Sequence, residues 1–147
     1  MSIYNTNMLK YNAAATISKI RDAVNKMIVS ELEHVGIKGL APSHGDILVF
    51  LYQKNRLSVK ELAERIHRKQ PTVTVLADKL AKLGYVEKIK SEEDSRVTWI
   101  QLTEKGKRLE PTFHAISKKL NDAIYGNLDD AEKEQLESTL ESMLRRL

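Results

Sequence analysis

The chain has 147 residues, of which 41% are hydrophobic and 30% are charged. This length fits a single domain with a sizeable core, and the composition excludes both a disordered chain and a membrane-spanning one. The chain has no cysteine, which excludes disulfides, thiolate zinc sites and thiol-based oxidant sensing, and its low aromatic and glycine content favours a mostly helical fold.

Positive charge is concentrated in the middle of the chain. Residues 54–108 contain 14 Lys and Arg against 8 Asp and Glu, a net charge of +6, whereas the other 10 basic and 12 acidic residues give −2. A basic centre with mildly acidic flanks is typical of a nucleic-acid-binding core held by helices with another role. We expect a cytoplasmic protein without membrane contact, because the sequence shows neither a membrane span of roughly 20 residues nor a signal-peptide core.

Two helices are predicted at the start of the chain. Apolar residues recur every three or four positions and predict a long amphipathic helix that ends near Gly36. Its stripe comprises Leu9, Ala13, Ile17, Ile20, Val24, Met27, Ile28, Leu32 and Val35. The second helix is expected to begin with Ser43 as N-cap, with Asp46 in capping-box spacing, and to stop around Asn55.

A helix-turn-helix is predicted over residues 58–83. Ser58 and Glu61 have capping-box spacing and open a short helix. After a basic turn, Pro71 is well placed at the first position of the next helix, which is expected to run to Leu83 before Gly84 ends it. Two short helices with a tight connection form this motif.

A β-hairpin, or wing, is predicted next. The segments 85–90 and 97–103 have the composition of strands, and the second alternates in polarity, while residues 91–95 between them are all polar. The sequence therefore predicts a mostly α fold with a small β-hairpin wing.

Two further helices are predicted after the wing. Thr103 is expected to cap the first, and Asp129 with Glu132 to open the last. Their apolar stripes comprise Leu109, Phe113, Ile116, Leu120 and Ile124 in the first, and Leu136, Leu140, Met143, Leu144 and Leu147 in the last. Such stripes leave apolar surface in water unless they meet another surface, and we expect a second copy of the chain to cover them; packing within one chain is the alternative.

The second helix of the helix-turn-helix is the candidate for reading DNA bases. A step of about 100° per residue places its apolar residues on one side and polar residues on the other, together with Val75. Lysine and threonine can bond bases or phosphates, and an outward valine can contact a thymine methyl group. Gln70 and Thr72 are best placed to reach base edges. The candidate contacts on the turn and this helix are Arg68, Lys69, Gln70, Thr72, Thr74, Val75 and Lys79.

The wing supplies a second group of candidate contacts. Asp94 and Arg96, two residues apart in the turn, can face the same way, so that the carboxylate holds the guanidinium in a fixed pose. Such an arginine suits the narrow minor groove of DNA. An ordinary solvated ion pair is the alternative reading. The candidate wing contacts are Lys88, Lys90, Asp94, Ser95 and Arg96.

The order of these elements and two motifs resemble the MarR family of bacterial transcription regulators. The first motif is the run from Asp94 to Gly106, which matches the pattern Asp-x-Arg, an apolar strand and Leu-Thr-x-x-Gly; the second is Leu80-Ala81-Lys82-Leu83-Gly84-Tyr85-Val86. The chain differs from the family pattern at Val75, where many members carry arginine, so no base preference is carried over there.

The resemblance implies a homodimer that binds double-stranded DNA at a pseudo-palindromic operator and usually represses until a small-molecule effector binds. The whole chain, 1–147, would then be one domain, with dimerisation helices at 1–36 and 107–147 around a DNA-binding lobe at 43–106. Candidate lining residues for an effector pocket are Tyr11, His44, Tyr52 and Phe113, although ordinary packing also explains each of them.

Other functions have weaker support in the sequence. Glu110 and His114 share a helix face, but two candidate ligands do not make a metal site, and no nucleophile, base and orienting group can be assembled. We therefore expect no metal, no cofactor and no enzymatic activity. The alternatives to a sequence-specific regulator are an architectural, sequence-indifferent DNA-binding protein and a winged-helix module that binds another protein.

Overall fold

The computed structural model describes residues 10–147, so the part of the first predicted helix around Leu9 lies outside the described residues. The described residues form seven helices and three strands. In chain order these are α1 (Ala13–His34), α2 (Pro42–Lys54), β1 (Arg56–Ser58), α3 (Val59–Ile66), α4 (Gln70–Lys82), β2 (Val86–Lys90), β3 (Thr98–Leu102), α5 (Glu104–Arg108), α6 (Glu110–Tyr125) and α7 (Asp130–Arg146). None of these helices has the length and hydrophobicity that a membrane crossing requires.

The three strands form one antiparallel sheet in the order β1-β3-β2. β2 and β3 are the predicted hairpin, with Val86 opposite Leu102. The third strand, β1, was not predicted: it pairs with the other edge of β3, where Leu57 lies opposite Ile100. A three-residue strand between two helices is too short to show an alternating pattern, and only the long-range pairing with β3 reveals it.

The hydrophobic core lies between helices α2, α3 and α4 and the inner face of the sheet. Its fully buried side chains are Ile47, Leu48, Leu51, Leu62, Val73, Leu80 and Ile100. Burying one such side chain stabilises the fold by about 1.5–3 kcal/mol, so this lobe holds its helices in a fixed arrangement. The C-terminal helices are different, because α6 and α7 bury no residue completely.

The start of α2 differs from the prediction. Ala41, not Ser43, is the N-cap, and Pro42 occupies the first helical position. His44 replaces the expected Asp46 as the reciprocal group, because its Nδ1 accepts a hydrogen bond of 2.9 Å from the Ala41 N–H. Proline at the first position moves the helix start two residues towards the N-terminus of the chain.

His44 gives the fold a pH-dependent stability. Burial, together with the positive charge of Lys79, lowers the pKa of His44 below its usual value of about 6.5. Above that value the histidine is neutral in both states; as the pH falls below it, the unfolded chain takes up a proton that the folded chain excludes. We therefore expect a lower urea midpoint at about pH 5.5 than at about pH 7.5. His44→Gln should reduce the difference, and replacement of the exposed His34 by glutamine should not.

The helix-turn-helix begins at the predicted cap, and its second helix ends at Lys82, one residue before the predicted Leu83. Ser58 Oγ accepts a hydrogen bond of 3.0 Å from the Glu61 N–H at the start of α3. The turn passes through His67, whose φ of +56° lies in the left-handed region, before α4 begins at Gln70. Pro71 lies at the second helical position, one residue later than expected, and Gly84 follows the helix with φ +87°.

The Leu-Thr-x-x-Gly motif joins the end of α4 to the C-terminal helices. The Thr103 hydroxyl donates to the Gly84 carbonyl at 2.6 Å and accepts from the Gly106 N–H at 3.1 Å. A methyl group built on Gly106 would overlap the Tyr85 carbonyl oxygen, so this position accepts only glycine without rearrangement. The motif therefore sets the distance between α4 and α5.

The segment after Thr103 was predicted as one helix and forms two. α5 ends at Arg108 and α6 begins at Glu110, with Pro111 in its first turn. Proline cannot donate to the preceding turn and its ring displaces the carbonyl four residues earlier, so a continuous helix is broken here. The start of α7 matches the prediction, because the Asp129 carboxylate accepts from the Glu132 N–H at 2.8 Å.

Candidate nucleic-acid interface

Helix α4 has the two faces that its sequence predicts. Val73, Ala77 and Leu80 are completely buried against the core. On the opposite side Asp78, Lys79 and Lys82 are exposed, and Val75 is 68% exposed. The helix therefore presents a surface that the core does not use.

The first turn of α4 contains the residues expected to reach base edges. Gln70 and Thr72 are exposed. Thr74 is half-buried, and its hydroxyl donates a hydrogen bond of 3.1 Å to the Gln70 carbonyl oxygen. Its hydroxyl proton is therefore engaged within the helix, although the oxygen can still accept.

The wing holds Arg96 in one pose through Asp94. The Asp94 carboxylate accepts three hydrogen bonds from Arg96: from the backbone N–H at 3.0 Å, from Nε at 3.1 Å and from Nη2 at 3.1 Å. These bonds hold the pKa of the Asp94 carboxyl below its usual range. The Arg96 side chain is 88% exposed, so a bidentate contact fixes its orientation while its outer edge stays accessible.

The arginine and the start of α4 lie on the same cleft. This cleft has a volume of about 560 Å³ and is lined from one side by Gln70 and Thr74, from another by Lys60 at the start of α3, and from the wing by Asp94 and Arg96. The structure thus brings together residues that are distant in the sequence. Lys60 was not among the predicted contacts, since only the fold places it next to the wing.

A salt bridge connects α4 to the wing. Lys88 Nζ on β2 lies 2.6 Å from Asp78 Oδ1 on α4. The sequence could not indicate this pair, because the two residues lie on different elements. Lys88, predicted as a phosphate contact, is therefore held by a carboxylate, whereas Lys90 at the end of β2 is exposed.

The remaining predicted contacts lie on the surface of the lobe. Arg68 and Lys69 are exposed in the turn before α4, and neither forms a salt bridge within residues 10–147. Ser95 is exposed next to Arg96. Lys79 is exposed in the last turn of α4. All of these side chains are accessible to a ligand that covers the turn, α4 and the wing.

The candidate metal ligands and two of the candidate pocket-lining residues contact other side chains or backbone of the chain. Glu110 and His114 approach to 3.2 Å, but the described part of the chain has no group of three or more side chains able to hold a metal ion. Of the candidate pocket-lining residues, Tyr52 donates to the Gly106 carbonyl at 3.0 Å and packs edge-on against Phe113, which supports packing roles.

The comparisons with known proteins agree with this geometry. The MarR family model matches residues 40–98. The HTH-type transcriptional repressor YetL of Bacillus subtilis is 34% identical over 128 residues, 84% of this chain and 76% of the relative. The HTH-type transcriptional regulator SarZ of Staphylococcus haemolyticus is 31% identical over 100 residues, 67% of this chain; this match spans 65% of SarZ.

A solved structure shows the same fold. The crystal structure of the S. aureus MepR–DNA complex superimposes with a TM-score of 0.81 at 24% identity, covering 91% of this chain and 97% of the other. The likeness extends beyond the helix-turn-helix and the wing to most of both chains. The matching family model and the relative of 34% identity show that the chain belongs to the MarR family of transcriptional regulators.

Proposed function

We propose that this protein is a sequence-specific DNA-binding transcriptional regulator, a homodimeric repressor that acts in the cytoplasm on a pseudo-palindromic operator. The observation that carries the proposal is the cleft on which Arg96, fixed by Asp94, faces the start of α4. A helix in the major groove and an arginine in the adjacent minor groove would use both sides of this cleft. The MepR structure of the same fold is a complex with DNA, which supports DNA as the ligand.

The contacts divide into two classes in this proposal. Gln70, Thr72, Thr74 and Val75 would face base edges, because they lie on the outer side and the first turns of α4. The basic side chains would contact phosphates, which set register and affinity without reading sequence. These phosphate contacts are Lys60, Arg68, Lys69, Lys79 and Lys90. Lys88 is left out because Asp78 already holds its ammonium group.

Apolar surface on the terminal helices supports a homodimer. Ile17 and Ile20 on α1, and Leu140 and Leu144 on α7, are exposed although each belongs to a predicted apolar stripe. An apolar hollow of about 320 Å³ lies between α1 and α6. A second copy covering these faces would remove apolar area from water and align two lobes on successive turns of the duplex.

Replacing Leu144 with serine is expected to weaken the dimer. Leu144 is 56% exposed in the single chain, and its burial at an interface would contribute about 1.5–3 kcal/mol, so the dissociation constant should rise about tenfold or more. Sedimentation equilibrium measures this constant. Val49→Ser, on an exposed apolar side chain of α2, is the matched control. A wild-type chain that sediments as a monomer at micromolar concentration would contradict the dimer.

Release by a small-molecule effector remains a prediction from the family resemblance. We propose that a ligand able to change the distance between the two lobes would lower operator affinity, since both lobes must fit half-sites about one helical turn apart. Such a ligand would act through binding, without catalysis.

Selection of bound fragments from random-sequence DNA tests the proposed function. A homodimeric repressor should select a motif with two-fold symmetry, and scrambled DNA should compete poorly against it. Equal competition by scrambled DNA would favour an architectural role. If no DNA fragment is shifted even at low salt, a protein-interaction module becomes the better reading. Binding should also fall steeply with added salt, because phosphate contacts release counterions.

A further inference from the structure

We propose that Val75 determines operator specificity by recognising the C5 methyl group of a thymine at one fixed position in each half-site. This inference rests on the proposed function and adds the identity of one base to it.

Val75 lies at the centre of the surface that α4 turns away from the core. A step of about 100° per residue places it roughly opposite the stripe of Val73, Ala77 and Leu80, all of which are completely buried. Its side chain is 68% exposed, on the second turn of the helix. In the proposed complex this face of α4 lies against the base edges of the major groove.

Valine can distinguish bases in only one way. It has no hydrogen-bonding group, and the one apolar group on the major-groove edge of the four bases is the thymine methyl. Arginine or lysine at this position would favour guanine, and asparagine or glutamine would favour adenine. An exposed valine therefore selects for a methyl group and provides no donor or acceptor for the other three bases.

Two polar side chains on one side of Val75 are already engaged within the protein. The Thr74 hydroxyl donates to the Gln70 carbonyl, and the Asp78 carboxylate is held by Lys88. Both contacts turn polar atoms towards protein partners, so on that side the exposed valine is the group available to a base. Thr72 and Lys79 are exposed and flank the valine on its other side. The base pair below it would consequently be read through apolar contact, with Gln70 and Thr72 free to read positions nearer the helix start.

Replacement of single thymines by deoxyuridine tests this inference. Uracil keeps every hydrogen-bonding group of thymine and lacks only the methyl. The probe is a duplex selected from random DNA by the wild-type protein, with each thymine of one half-site replaced in turn. One replacement should lower the affinity of wild-type protein about fourfold, the contribution of one buried methyl-sized group. The Val75→Ala variant, whose single methyl group reaches less far, should show a clearly smaller difference between the thymine and uracil forms of that position.

Val49→Ala is the matched control, because it shortens another exposed valine on α2, away from the cleft. It should keep the full fourfold discrimination. The inference is overturned if no single uracil replacement changes wild-type affinity, or if Val75→Ala loses affinity on the same replacement as strongly as wild type does. Either result leaves sequence-specific binding intact, whereas failure to select any motif would overturn the proposed function and this inference with it.

Discussion

Replacing Arg96 with alanine is expected to weaken operator binding by about 10- to 100-fold, the range of one strong charge-assisted contact to DNA. The side chain is 88% exposed and contacts Asp94 alone among the described charged groups, so its removal should leave the fold unchanged. Because it also removes one positive charge from the interface, the slope of log affinity against log salt should fall by about one. Fluorescence anisotropy at several salt concentrations measures both effects.

Two further variants separate the charge of Arg96 from its pose. Arg96→Lys keeps the charge but cannot reproduce the bidentate contact with Asp94, so it should keep the salt slope and lose part of the affinity. Asp94→Ala removes a negative charge that by itself would repel DNA. If Asp94 serves to position the arginine, this variant binds more weakly than wild type; stronger binding by Asp94→Ala would show that the proposed positioning is wrong. Unchanged affinity for Arg96→Ala would remove the wing from the interface.

Local signals predicted most of the fold. Caps at Ser58, Thr103 and Asp129, and the glycine after α4, each act within a few residues of the chain, so the helix boundaries they set are visible in the sequence. Two errors arose where a distant or competing contact decides, and a third, the break between α5 and α6, came from overlooking the local effect of Pro111. β1 exists only because β3 pairs with it, and His44 accepts from the N-cap Ala41 N–H because Pro42 begins the helix early.

The candidate site was predictable as a set of residues and less so as a geometry. The outward face of α4 follows from helical periodicity, and the Asp94–Arg96 pair from its two-residue spacing. The position of Lys60 on the cleft and the contact between Lys88 and Asp78 depend on how helices and wing pack together. Such contacts carry no local pattern, since their partners are brought close only by the folded core.

Replacing Gly106 with alanine is expected to destabilise the fold by about 3 kcal/mol or more, a large part of the 5–15 kcal/mol typical of a domain. Alanine is the better helix former, so helix propensity alone predicts a gain. The loss comes from space: the new methyl group would overlap the Tyr85 carbonyl oxygen and lie 3.0 Å from Leu102 Cδ2. A backbone carbonyl cannot move aside without disturbing the Thr103 hydrogen bonds to Gly84 and Gly106.

Chemical and thermal unfolding measure this effect, and the midpoint temperature should fall by about 10 °C. Gly36→Ala is the control, because a methyl group built on Gly36 has no atom within 4 Å. This substitution carries only the cost of the positive φ of Gly36, about 1 kcal/mol. A Gly106→Ala variant that unfolds near the control's midpoint would show that α5 can shift away from Tyr85. Such a shift would alter how the terminal helices are joined to α4. The operator affinity of the Gly106→Ala variant, measured below its unfolding midpoint temperature, would then fall although the chain remained folded.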